Sequence, residues 1–378
     1  MTNVDGSDGA PGSRIPPAVG EHAGPSGSRG QRRFVAGVLT GTLALLGCVG
    51  AFNALVDPYG FVGSAVFPTA ILSDRATKAC LAERLPVGPQ LVVYGSSRAM
   101  KVDPAFVSRL TGLTSFNAAV SSATPADVWA FANFLHDRFP GERRRVIWLL
   151  DIESFRARPL DPGLLETPAL ARYFSASARL SARLNSFWTL FSWKAAQDAF
   201  RVATSRRASA ATRVPCTYRT NGVTEYAPNG LRQWDFHDLA QARGTSLSTG
   251  IGQSITQYRG IYARGYPGLA TTPERWFERT LRVMQAWGTR PVIVLTPVQP
   301  KFLRVIGPLG WQRRHAQVVR YLHTVAKRIP FELLDASHVA TFGGSRRAFY
   351  DGVHMTAPNA RRLAAWLIRR SRGALSGH

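Results

Sequence analysis

No charged residue interrupts the 23 positions from Phe34 to Val56, and this run divides the 378-residue chain. As a helix rising ~1.5 Å per residue it reaches about 34 Å, enough to cross the hydrocarbon of a bilayer. Arg29, Arg32 and Arg33 stand immediately before it, and the first charge after it is Asp57. That bias predicts a single-pass protein of the cell (inner) membrane, its amino terminus cytoplasmic and everything beyond residue 57 extracytoplasmic or periplasmic. A cleaved signal peptide has a shorter apolar core and a small-x-small site just after it. A lipoprotein signal at Leu45-Leu46-Gly47-Cys48 would turn polar after the cysteine, whereas apolar residues continue here. A retained anchor over 34–56 is the expectation. Residues 1–33, dominated by Gly, Pro, Ser and Ala, have no apolar periodicity and read as a disordered cytoplasmic tail. Residues 57–87 read as a juxtamembrane linker and 371–378 as a flexible tail.

Between the linker and that tail, short apolar runs alternate with helical patterns. Leu91 to Tyr94, Ser115 to Ala119, Val146 to Leu150, Val292 to Leu295 and Phe331 to Leu334 read as buried strands. Asp103-Pro104 opens a helix ending near Gly112. Thr124-Pro125 caps a second whose buried face is Val128, Phe131 and Leu135, and Thr272-Pro273 a third with Phe277, Leu281 and Met284 on one stripe. Val318, Leu322 and Val325 mark a fourth, and Leu363, Ala364 and Leu367 a last one. The fold class that follows is α/β, a three-layer domain over 88–370 with a doubly wound, mostly parallel sheet. Ligand chemistry is then expected at the carboxyl ends of the strands. Residues 155–265 exceed such a domain and read as an insertion of helices with a hairpin, given the turn signals Asn221-Gly222 and Asn229-Gly230. Its aromatic residues Phe187, Trp188, Phe191 and Trp193 are expected to pack it onto the core; the alternative is a lid or polymer groove over the strand ends.

Two motifs fall on that edge. Tyr94-Gly95-Ser96-Ser97-Arg98 ends the first strand, and Asp351-Gly352-Val353-His354 precedes the last helix. A serine is a weak nucleophile until a base takes its proton, and a histidine base works best when a carboxylate orients it. Asp and His three residues apart supply that pair locally, and the sheet can bring the serine to them. The catalytic residues expected are Ser97, His354 and Asp351. Each motif alone is also a common solvated turn; their order along the chain is what joins them.

The arrangement resembles the SGNH, or GDSL-like, hydrolase superfamily, whose first block holds Gly-Asp-Ser and whose last holds Asp-x-x-His. Gly-Ser-Ser behind a membrane anchor looks most like its cell-envelope branch, which includes the D-alanyl-teichoic-acid and alginate O-acetylation proteins. The resemblance implies Ser97 as nucleophile, with Ser96 in place of the family's Asp. Two inner blocks depart from it. In Phe116-Asn117-Ala118-Ala119-Val120-Ser121-Ser122, Ser122 falls where the family has an oxyanion-binding glycine. The strand ending at Leu150 is followed by Asp151 where the family has Gly-x-Asn. An ionised carboxylate accepts hydrogen bonds and repels an oxyanion, so Asp151 must be turned away, bound to a neighbouring amide, or serve another step. Ser122, Arg98, Asp151 and Asn117 are the candidate substrate and oxyanion residues.

The net charge is +24, from 47 basic and 23 acidic residues spread through the chain. No helix-turn-helix, zinc spacing or RNA-binding sheet motif accompanies it, so nucleic acid is not an expected partner. Outside the membrane the available polyanions are anionic glycans, teichoic-type polymers and lipid headgroups; drift toward arginine is the plainer explanation. The eight histidines and three cysteines show no metal-ligand spacing, and no metal or cofactor is expected. Cys48 lies in the span, leaving Cys80 and Cys216 able to pair in an oxidising compartment. The expectation is an anchored serine acyltransferase or esterase working on acyl groups of an envelope or exported glycan. The resemblance implies a multi-span membrane O-acyltransferase as partner. The alternatives are a catalytically silent glycan-binding subunit and a polyanion-binding envelope protein.

Overall fold

The computed structural model describes residues 29–59, 62, 66–67, 73–204, 216, 219–220 and 223–375. The expectations for residues 1–28 and 376–378, and the turn at Asn221-Gly222, lie outside the described residues. Two compact units divide at Gly50 and Ala51. The first ends within α1 (Arg29–Val56), one helix of 28 residues long and apolar enough to cross a membrane. It begins at Arg29, so residues 29–33, assigned above to the disordered tail, are helical. Phe34, Leu43 and Leu45 are each about two-thirds or more exposed, an apolar surface that lipid rather than water suits.

The second unit is mixed α/β. Its strands are β1 (Leu91–Gly95), β2 (Ser115–Asn117), β3 (Arg145–Leu150), β4 (Arg219–Thr220), β5 (Val223–Thr224), β6 (Val292–Leu295) and β7 (Glu332–Asp335). Five of them form a parallel sheet in the order β2-β1-β3-β6-β7, and β4 and β5 form a separate antiparallel hairpin. Apart from that hairpin, chain order reverses between β1 and β3, the switch point where a doubly wound sheet opens a crevice at its carboxyl edge. β1 and β6 are buried at every position, which is why their sequences run continuously apolar instead of alternating.

The helices are α2 (Asp74–Glu83), α3 (Pro104–Thr111), α4 (Pro125–Arg138), α5 (Pro162–Glu166), α6 (Pro168–Ala171), α7 (Ala176–Thr189), α8 (Trp193–Thr204), α9 (Phe236–Ala242), α10 (Leu247–Gly260), α11 (Thr271–Ala286), α12 (Pro300–Ile306), α13 (Gln312–Ala326), α14 (Ala357–Arg370) and α15 (Arg372–Leu375). α4 and α11 pack together, and Phe277 on α11 lies 5.1 Å from Trp148 of β3, ring centre to ring centre. α11 starts one residue before the expected cap at Thr272, with Ala270 at the N-cap. Pro273 is tolerated in that first turn because early helical amides have no internal acceptor anyway.

Three expectations need correction. The linker 57–87 contains α2, capped by the Ser73 hydroxyl and tied into the domain by buried side chains. Arg75 Nε donates to Asp127 Oδ1 at 2.7 Å, and Lys78 Nζ donates to Asn117 O at 2.6 Å and to the Gly230 carbonyl. Burial lowers the Lys78 ammonium to about 7. The tail is helical from Arg372 through Leu375, which is fully buried, and Ser371 Oγ donates to Glu332 Oε1 at 2.6 Å. Finally, Phe187, Trp188 and Trp193 do not pack onto the core: they are 52, 68 and 77 % exposed. Cys80 on α2 and Cys216 form a disulfide, their Cα atoms 5.4 Å apart.

Candidate active site

The site grows from the end of β1. Gly95 takes φ 152°, and a side chain there would bring a Cβ within 2.7 Å of Ala99 Cβ and of Leu149 O. Only glycine therefore fits the turn that ends the strand. Ser96 is the buried cap of the next 3-10 turn, its hydroxyl accepting from Arg98 N at 3.1 Å. Ser97 opens that turn, and the first amide of such a turn has no internal acceptor.

Ser97 Oγ lies 2.9 Å from His354 Nε2, although 257 residues separate them. His354 Nδ1 lies 2.7 Å from Asp351 Oδ2. The other carboxylate oxygen accepts from the amides of Val353 and His354, both at 2.8 Å, so Asp351 shapes its own loop and aims the imidazole. Burial pushes the Asp351 carboxyl up, but the hydrogen bond and charge of His354 and the two amides outweigh it and hold it at about 2. The loop is pinned from both sides: Gly352 N donates to Ser254 Oγ at 3.1 Å, and Gly352 O accepts from Gln299 N at 2.9 Å. Ser97, His354 and Asp351 are thus brought together, with Asp351 oriented to fix the Nδ1–H tautomer of a base facing the serine.

Of the four further candidates, one reaches the same place. Ser122 lines the cleft beside Ser97 and has φ 52°, the left-handed region that glycine favours and where the resemblance places a glycine. The other three are engaged elsewhere. The Arg98 guanidinium is 3 % exposed and turns inward, donating to Thr296 Oγ1 at 3.2 Å and Tyr258 OH at 2.9 Å and pairing with Glu153 Oε2 at 3.1 Å. Burial works against its charge, but the Asp151 and Glu153 carboxylates raise its pKa far above the usual value. Asp151 accepts from Thr296 Oγ1 at 2.7 Å and lies 3.6 Å from Arg98 Nε, so its carboxylate finds a hydroxyl and a cation, not a backbone amide. Asn117 is fully buried, donating to the carbonyls of Ala99 and Val102 and accepting from Ala119 N. It braces the turn after β1 and has no donor left for an oxyanion.

The cleft holds about 440 Å³. Its wall comes from α9 and α10, which present Gln241, Gln253, Gln257 and Ser254 to Ser97 and His354. Side-chain amides and hydroxyls of this kind match a hydroxyl-rich ligand. Sequence patterns did not single out this wall, because polar residues on a helix signal only a solvated face.

Nor did they find His237. Its ring centre is 4.3 Å from that of His354, and its Nδ1 lies 3.8 Å from Asp351 Oδ2. Burial first, then the neighbouring His354, lowers its pKa to about 4. His237, Asp351 and His354 bring ligand atoms within 4.8 Å of one another, a grouping that spacing along the chain could not reveal. Both ring nitrogens of His354 already have hydrogen-bond partners, which suits proton transfer better than metal ligation. No protein-family model matches the chain, and no curated protein matches it.

Proposed function

We propose that the chain is a membrane-anchored, extracytoplasmic serine acyltransferase or esterase of the SGNH type, acting on acyl groups of an envelope or exported glycan. The observation behind this reading is the unbroken hydrogen-bonded line from Ser97 Oγ through His354 to Asp351 at the carboxyl edge of the sheet. His354 takes the Ser97 proton as the oxygen attacks the acyl carbonyl, then returns it to the leaving alcohol. A glycan hydroxyl or water, deprotonated by the same histidine, releases the acyl group from Ser97. The amides of Ser97 and Ser122 are the donors for the oxyanion, since Asn117 and Asp151 are bonded elsewhere. In this reading the parallel sheet is the middle of three layers, and residues 155–265 are an insertion whose α9 and α10 overhang the strand ends.

The Cys80–Cys216 disulfide supports an oxidising compartment, hence a domain outside the cytoplasm with the arginines before Phe34 inside. A multi-span O-acyltransferase is the proposed acyl supplier. The test is intact-mass analysis after mixing the protein with an acylated sugar or a small acyl ester. Wild type should gain one acyl mass that Ser97→Ala lacks, and a carbohydrate acceptor should compete with water for it. An adduct retained by Ser97→Ala sinks the assignment. One observation favours a second reading, a silent glycan-binding subunit: Asp151 stands where the resemblance places an oxyanion-binding asparagine, and its carboxylate is bonded to Thr296 and beside Arg98. That reading requires sugar binding with no acyl adduct at all.

A further inference from the structure

Helices α7 and α8, consecutive in the chain, carry an exposed face that neither the domain core nor the catalytic cleft uses. Leu180, Leu184, Phe187, Trp188, Trp193 and Phe200 are each more than half exposed along it. Six large apolar side chains on two adjacent helices exceed the scattered exposure normal for a soluble surface. Phe187, Trp188 and Phe191 cluster with ring centres 5.3 to 6.1 Å apart, so they form one patch. Basic groups flank it: Lys194 and Arg201 have side chains 78 and 76 % exposed, while their partner Asp198 is buried between them.

Continuity with the apolar run identifies the occupant. The end of α1 is built into the link between these helices and into α8. Asn53 is fully buried, and its Nδ2 donates to Leu190 O, in the link between the two helices, at 2.6 Å. Val56, the last apolar residue of the run, packs with Ala199 and Val202 of α8. Tyr59 OH, three residues on, donates to the Asp198 carboxylate. The link and α8 are therefore fastened at the point where the chain leaves the hydrocarbon, if 34–56 crosses the bilayer. Tryptophan with flanking Lys and Arg is the composition favoured at that depth, where rings sit among headgroups and cations meet anionic lipid.

We infer that α7–α8 is a bilayer-docking surface that seats the domain on the membrane its own anchor crosses, with phospholipid as its ligand. The inference rests on the membrane span in the functional reading and is independent of the acyl chemistry. Its test uses the full chain in phosphatidylethanolamine–phosphatidylglycerol vesicles, with acyl chains either plain or dibrominated. The 34–56 run contains no tryptophan, so bromine quenching cannot arise there. Wild type should lose up to about a fifth of its emission to brominated lipid, the share of two in nine tryptophans in the interface. The double variant W188F/W193F should lose almost none, and iodide in the aqueous phase should quench wild type and variant alike. Iodide quenching of Trp188 and Trp193 without bromine quenching overturns the proposal, because the patch then faces water. Protection from both quenchers also overturns it, in favour of a protein partner or a second copy. Flotation of the vesicles reads the anchor separately: a protein that fails to float refutes the span itself.

Discussion

Asp351 has two jobs that a single substitution can separate. Asparagine at 351 still offers one oxygen to the amides of Val353 and His354, so the loop should survive. It puts an amide where the carboxylate meets Nδ1, which favours the wrong tautomer of His354. Asp351→Asn should lower the acyl-transfer rate by about 10⁴-fold and give up part of the stability that the ionised carboxylate contributes, while the loop stays folded. Steady-state rates beside a thermal melt check both halves. Asp151 predicts the opposite pattern. Neutralising it leaves the buried Arg98 with Glu153 as its remaining carboxylate. Asp151→Asn should destabilise by about 3 kcal/mol, the lower end for breaking a buried ion pair, with turnover per folded molecule nearly unchanged. A large rate loss at unchanged melting temperature would contradict that.

His237 contributes to the response to acid at the site. Its folded pKa lies at about 4, below its usual value, so between about pH 6.5 and 4 the unfolded chain binds a proton that the folded site refuses. Stability therefore falls as pH drops through that window. Asp351, depressed to about 2, adds stability that is full above the ordinary carboxyl pKa and is lost as pH falls toward 2. His237→Gln should flatten the melting temperature between pH 6.5 and 4 and leave the steeper loss below it. At this scale the sequence exposed what is local. Asp351 and His354 share one loop, and Ser97 follows a glycine that the strand end demands. It did not expose which way Arg98 and Asn117 point, because their partners, Thr296 and Tyr258 for one and the Ala99 and Val102 carbonyls for the other, are set by the fold. His237 reaches the site from a distant helix, and a lone histidine leaves no pattern.

Among the elements, α2 is the one that composition concealed. Asp74-Arg75-Ala76-Thr77-Lys78 reads as a charged linker, yet Arg75 and Lys78 are buried because Asp127, Asn117 and Gly230 answer their donors. Charge marks exposure only when no partner waits inside, and partners are a tertiary fact. Strands β1, β3 and β6 were readable because strands buried on both faces leave uninterrupted apolar runs. The same logic failed for α7 and α8, whose aromatic residues signal burial without saying whether protein or lipid does the burying. The Cys80–Cys216 bridge fastens α2 across 136 residues. Replacing both cysteines by serine should lower stability by up to about 4–5 kcal/mol, the loop-closure value for a span of that order. A reducing agent should have the same effect on the wild-type melt.

Among the described residues one helix, α1, is long and apolar enough to cross a membrane, and the compact units divide inside it, at Gly50 and Ala51; the second unit is α/β with a five-stranded parallel sheet. Alternation along the chain was enough for that class, since each strand–helix pair adds a parallel strand by crossover. The boundaries were less legible, because α2 and α15 belong to the folded unit only through contacts made elsewhere in the chain. The proposed orientation, with Arg29, Arg32 and Arg33 on the cytoplasmic side, predicts that a periplasm-dependent reporter fused after His378 is active and one dependent on the cytoplasm is not. The central claim is that Ser97 is an activated nucleophile, and covalent labelling with a fluorophosphonate reads it directly. The intact protein should take one equivalent at Ser97, with labelling lost in Ser97→Ala and His354→Ala and retained in Ser96→Ala. Labelling that follows Ser96, or wild-type protein left unlabelled while its fold and membrane anchoring are intact, would contradict the account.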